Sequence, residues 1–115
     1  MTLLELEHIS TKFSVKIIKL AEDLKAKKQD SLAEWLALSG TTMAAKISRS
    51  KGAFDAEDFI SELSESMNKA NETLYWLNVI FEAELINTVK YELLKYNCNK
   101  IRIELSKAIK KANEL

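Results

Sequence analysis

Seven apolar residues at steps of four and three constrain this chain more than any other feature. Phe59, Leu63, Met67, Ala70, Leu74, Leu77 and Phe81 fall on one side of a helix and on no regular strand face. Such a heptad seam needs other helical faces to cover it. The rest of the chain can supply them. It holds no proline and two glycines, Gly40 and Gly52, where a sheet protein of 115 residues would need more turn-formers. An all-helical fold in one domain, spanning 1–115, follows.

Caps and periods divide the chain into four helices. Thr2 and Glu5 have the spacing of a capping box. Behind them Leu3, Leu6, Phe13, Ile17, Leu20 and Leu24 form one stripe, which predicts a first helix over 3–28. Ser31 and Glu34 repeat the capping-box spacing and predict a second helix over 32–51, with Leu32, Leu36, Met43 and Ile47 inward and Gly52 as a left-handed terminator. Its middle, from Ser39 to Ala45, is built of small residues and suits the close approach of another helix. Asp55 caps a third helix over 56–84. Asn87 or Thr88 caps a fourth over 88–113, where Leu94, Cys98, Ile101, Leu105, Ala108 and Ala112 carry the seam onward. A second apolar line on that helix, through Val89, Leu93, Tyr96, Ile103 and Ile109, implies contact with more than one neighbour. Short connections make consecutive helices antiparallel, so the expected fold is an all-α, up-down-up-down four-helix bundle.

Chemistry is sparse. Glu5 and His8 have the Glu-x-x-His spacing of a di-iron ligand pair, but His8 is the one histidine and such a centre needs the motif twice. Cys98 lies in the seam and reads as a buried core thiol. No Gly-x-x-x-x-Gly-Lys loop is present. No cofactor, metal or small-molecule substrate is therefore expected, and no enzymatic activity. The single cysteine, the lack of an apolar run of the roughly 20 residues that span a bilayer, and an N-terminus unlike a secretory signal lead us to expect a cytoplasmic protein without membrane contact.

Charge is balanced at 17 basic and 17 acidic residues, yet unevenly placed. Between Lys51 and Leu85 stand two lysines and eight acids; between Ile86 and Leu115, seven basic residues and three acids. Neutralisation between neighbouring helices or subunits accounts for this. A basic surface for RNA or DNA is the alternative, built on Lys100, Lys107 and Lys111 of the fourth helix, with Lys46 and Arg49 as a smaller cluster. The stretch from Lys69 to Leu77 mixes Asn71, Glu72 and Thr73 with Tyr75 and Trp76. A carboxylate at Glu72 held against aromatics would have a raised pKa; a structural polar network where helices or subunits meet is the simpler reading. Trp35, Gly40, Asn71, Glu72, Tyr75 and Trp76 are accordingly expected at an interface or in a polar network.

The same residues carry a family resemblance. The chain resembles the bacterial four helix bundle proteins encoded in intervening sequences of large-subunit ribosomal RNA genes. The likeness runs through Phe13 to Leu20, through Leu38 to Ile47, through Asp58-Phe59-Ile60, and most specifically through Ala70-Asn71-Glu72-Thr73-Leu74-Tyr75-Trp76-Leu77. Three departures fall in the second helix: Leu38 stands where the family commonly has arginine, Lys46 replaces asparagine, and Arg49 stands where an acid is common. The family's proline between the first two helices gives way to Lys27-Lys28-Gln29-Asp30. The resemblance implies a bundle that assembles as a ring, typically a homopentamer, without implying an enzyme. A more distant likeness, to the accessory protein of diversity-generating retroelements, implies nucleic-acid binding.

Overall fold

The computed structural model describes residues 1–114. Four helices, α1 (Leu3–Ala26), α2 (Asp30–Ser50), α3 (Ala56–Glu82) and α4 (Thr88–Asn113), form an antiparallel bundle 47 Å long and 22 by 19 Å across. Consecutive helices pack side by side, and α1 closes more lightly against α4. That leaves α1 diagonal to α3, and α2 diagonal to α4. The two diagonal partners α2 and α4 start at the same end of the bundle and run in the same direction.

Local chemistry sets most of the helix starts. The Thr2 hydroxyl accepts from the Glu5 amide at 3.1 Å while Glu5 accepts from the Thr2 amide at 3.1 Å, closing a capping box. Asp55 accepts from the Asp58 amide and Asn87 from the Lys90 amide, each at 2.8 Å. The second helix differs from expectation. It starts at Asp30, two residues early, and Gln29 precedes it with no side-chain cap. Ser31 is already inside the first turn, so the box with Glu34 does not form. The cause is the turn before it. Lys28 adopts φ 63°, its amide bonds the Lys25 carbonyl, and the Gln29 amide bonds the Leu24 carbonyl. This Schellman closure ends α1 at Ala26 and delivers the chain directly into α2. Glu84 repeats it at φ 60°, with bonds from Glu84 to Phe81 and from Leu85 to Ile80. Gly52 plays no such part: the chain leaves α2 through Lys51 in a right-handed conformation, and neither glycine has a positive φ.

Packing explains the small middle of α2. Gly40 lies against Ile17 of α1, and the Ser14 hydroxyl donates to the Gly40 carbonyl at 2.8 Å. On its other flank, Ser66 of α3 donates to the Met43 carbonyl at 2.8 Å, and the Thr73 and Ser39 hydroxyls meet at 3.0 Å. Buried hydroxyls thus find partners, as they must, and α2 is held from two sides. The α3 seam resolves into a buried centre of Leu63, Ala70 and Leu77, flanked by half-buried Met67, Leu74 and Phe81. On α4, Leu94, Cys98, Ile101 and Leu105 are buried.

Candidate interaction surface

The second apolar line of α4 has no helix over it. Val89, Leu93, Tyr96 and Ile103 are 79%, 52%, 64% and 56% exposed; of that line Ile109 alone is half-buried. α4 does meet two helices, α3 and more lightly α1, as expected, but neither covers these four residues. The bundle covers one side of α4, and the opposite side, some half a turn away, carries these residues outward. Four large apolar side chains in one exposed line are more than scattered surface hydrophobics.

A second patch lies along the edge where α2 meets α3. Trp35 stacks on Trp76 with ring centroids 5.2 Å apart, and Tyr75 meets Trp76 edge-on at 5.1 Å. Trp76 is half-buried under this pair, whereas Trp35, Tyr75 and the neighbouring Leu38 are exposed. The Trp76 indole nitrogen is enclosed without a hydrogen-bond partner. Stacking fixes the mutual orientation of the aromatics.

The polar residues around Glu72 divide among three directions, two of them toward neighbouring helices. A helix turns about 100° per residue, so neighbours in sequence look in different directions. Asn71 faces α4 and accepts from Arg102 Nε at 2.7 Å. Thr73 faces Ser39 in the core. Glu72 looks outward and pairs with Lys69 at 3.1 Å, an i,i+3 contact on the surface. Gly40, also expected at an interface, is buried between α1 and α2 and takes part in the packing described above.

The basic residues fall into two groups on opposite corners. On α2, Lys46 is held by Glu65 at 2.6 Å and lies 3.9 Å from Glu62, with Arg49 exposed beside it. These contacts hold the Glu65 carboxyl below its ordinary range, Lys46 first and Arg49 more weakly. On α4, Lys100, Lys107 and Lys111 are exposed, and Lys107 makes a long 3.6 Å contact with Glu104. Lys51 clamps Glu7 with both carboxylate oxygens, at 2.9 and 2.8 Å, and lowers that carboxyl's pKa.

Among the described residues no three His, Cys, Asp or Glu side chains gather as metal ligands would, and no helix is long and apolar enough to cross a membrane. His8 is exposed on α1. Cys98 is buried, its thiol donating to the Ala70 carbonyl at 3.4 Å, and burial pushes its pKa up to about 11.

Fold and surface together define a small antiparallel helical bundle with two uncovered apolar faces. The family model described as "23S rRNA-intervening sequence protein" matches residues 3–107, and the chain belongs to that family. A solved structure from Bacteroides thetaiotaomicron, described as a protein with unknown function from the S23 ribosomal protein family, superposes with a TM-score of 0.89 at 30% identity, covering 91% of this chain and 98% of that one. A search of curated proteins finds no match.

Proposed function

We propose that this protein is a non-enzymatic, cytoplasmic, self-assembling bundle with a structural or scaffold role, and that it forms a homopentameric ring. The exposed line of Val89, Leu93, Tyr96 and Ile103 carries the assembly reading. An uncovered apolar row along a helix is stabilised when another surface removes it from water, at about 25 cal/mol per Å². The number five rests on the resemblance to ring-forming relatives. Multi-angle light scattering at micromolar concentration tests it. Five copies of a 13.1 kDa chain weigh about 65 kDa (5 × 13.1), and a strictly monomeric mass would end the assembly reading.

The exposed lysines of α4 favour a second reading, a nucleic-acid-binding accessory module. Lys100, Lys107 and Lys111 follow steps of seven and four on one side of the helix. That reading predicts RNA or DNA affinity that falls steeply with salt. Absence of binding at low salt would dismiss it.

A further inference from the structure

We infer that copies of this chain join head to tail, the outward face of α4 on one copy seating on the Trp35, Leu38 and Tyr75 patch of the next, with Lys100 opposite Glu72 and Lys107 opposite Glu65. This inference rests on the self-assembly reading and names the surfaces that would perform it.

The two apolar patches differ from each other and occupy different sides of one bundle, one the outward face of α4 and the other the edge between α2 and α3. A two-fold dimer built on either patch would cover it with its own copy and leave the other patch in water. A head-to-tail contact uses both, and every copy then offers one of each.

Height along the bundle decides what such a contact builds. Trp35 and Leu38 are the sixth and ninth residues of α2, counted from Asp30. Leu93 and Tyr96 are the sixth and ninth of α4, counted from Thr88. Since α2 and α4 start at the same end, both pairs sit about 8 and 12 Å along their helices at 1.5 Å per residue. The patches are level. Neighbours joined through them are related by rotation about an axis along the bundle with no shift along it. With no axial shift the contact closes into a ring where the rotation between neighbours divides a full turn, whereas an axial shift would wind a filament.

Charge supports the same register. Glu65 and Glu72 stand seven residues apart on the outward side of α3, both N-terminal to its aromatics, and Lys100 and Lys107 stand seven apart on the outward side of α4. The two helices run in opposite directions, so the order matches. Measured from the end where α3 stops and α4 begins, Glu72 is ten residues down (82 − 72) and Lys100 twelve (100 − 88). Glu65 is seventeen down (82 − 65) and Lys107 nineteen (107 − 88). The two-residue offset is about 3 Å at 1.5 Å per residue, within the reach of a lysine side chain. Glu65 and Glu72 keep side-chain exposures of 51% and 43% while pairing with Lys46 and Lys69. Lys100 has no carboxylate partner among the described residues. In this arrangement the lysines of the nucleic-acid reading serve the neighbour instead.

A charge-swap series on the full chain tests the interface. Wild type should be assembled. Lys100→Glu with Lys107→Glu should weaken assembly at least tenfold, and Glu65→Lys with Glu72→Lys likewise. All four changes together should restore it, which also shows that the variants fold. A bis-maleimide adds a geometric test: Leu38→Cys and Tyr96→Cys chains, once mixed, should yield a cross-linked dimer holding one of each, and neither alone should cross-link. Assembled wild type with no mixed cross-link, or with like-to-like cross-links, overturns this interface and spares the self-assembly reading. A monomeric wild type overturns both. Loss of RNA affinity in the lysine double variant, with its mass unchanged, overturns the interface in favour of the nucleic-acid reading.

Discussion

Gly40 approaches Ile17 so closely that a Cβ built on Gly40 would lie 2.8 Å from Ile17 Cγ2 and 3.2 Å from its Cβ and Cγ1. The contact involves most of a fully buried, β-branched side chain with little rotamer freedom, so no flexible tip can swing aside. Gly40→Ala therefore sets two effects against each other. Alanine is about 1 kcal/mol better than glycine inside a helix. Overpacking a filled core costs about 1–3 kcal/mol. The stiffness of Ile17 puts the strain in the upper part of that range, for an expected net loss of about 1–2 kcal/mol. Urea unfolding of the two proteins measures it. Pairing Gly40→Ala with Ile17→Leu, which removes Cγ2, should recover part of the loss. A stabilised single variant would show that α1 and α2 can separate freely.

Lys28 and Glu84 hold left-handed conformations that glycine adopts without strain. A side chain in that region costs about 1–2 kcal/mol, partly offset by the extra freedom glycine gives the unfolded chain, about 0.5–1 kcal/mol. Lys28→Gly and Glu84→Gly should each raise stability by about 0.5–1 kcal/mol. The sites lie in separate turns, so the gains should nearly add. Unchanged urea midpoints in both variants would contradict the turn geometry.

These turns also show where the sequence could be read and where it could not. The caps at Thr2, Asp55 and Asn87 were legible because each is made by one side chain and an amide three residues on. The seams of α3 and α4 were legible because burial enforces their period. Ser31 and Glu34 had an equally good local pattern, yet the backbone bonds of the Lys28 turn started α2 earlier. Gly52 looked like a left-handed terminator, and that conformation fell instead to residues with no sequence signal for it. The candidate interaction surface was half legible. Periodicity marks Val89, Leu93, Tyr96 and Ile103 as an apolar line without saying what covers it, and the aromatic stack of Trp35 on Trp76 joins residues 41 positions apart (76 − 35). Leu38 stood out as a departure from the family's arginine, and its exposed place beside Trp35 gives that departure a location.

Acid should loosen the ends of the bundle. The Glu5 carboxyl is held below its ordinary value of 4.5, first by the Thr2 amide and then by the Thr2 hydroxyl. That of Glu7 is lowered first by Lys51 and then by Ser48, and that of Glu65 first by Lys46. A lowered folded pKa means that the unfolded chain takes up protons first as pH falls. The stabilisation is thus complete above about pH 4.5 and is lost as pH drops through the lower folded values. Glu5 and Glu65 are exposed and Glu7 is half-buried, so salt should shrink the effect, least for Glu7. Thermal midpoints between pH 7 and pH 3 should fall more gently in Glu7→Gln than in wild type. Identical acid profiles would remove the Lys51 clamp from the account. Thr2→Ala, which breaks the capping box, should cost about 1 kcal/mol at neutral pH.

Cys98 should behave as a core residue that reports opening of the bundle. Thiol reagents attack the thiolate, and burial raises this thiol from 9.0 to about 11, with Arg102 pulling weakly the other way. Native protein at pH 8 should therefore label very slowly with a disulfide reagent, and unfolded protein at once. The native labelling rate then tracks the populated open state and should rise in Gly40→Ala. Alkali adds a signed test. The unfolded thiol ionises from about pH 9 while the folded one stays protonated towards pH 11, so stability should fall as pH rises across that window. Two units correspond to about 3 kcal/mol at most. Cys98→Ala should lose this alkaline slope after an initial cost of about 1 kcal/mol for the missing sulfur. Rapid labelling of the native chain at pH 8 would place Cys98 outside the α3–α4 seam.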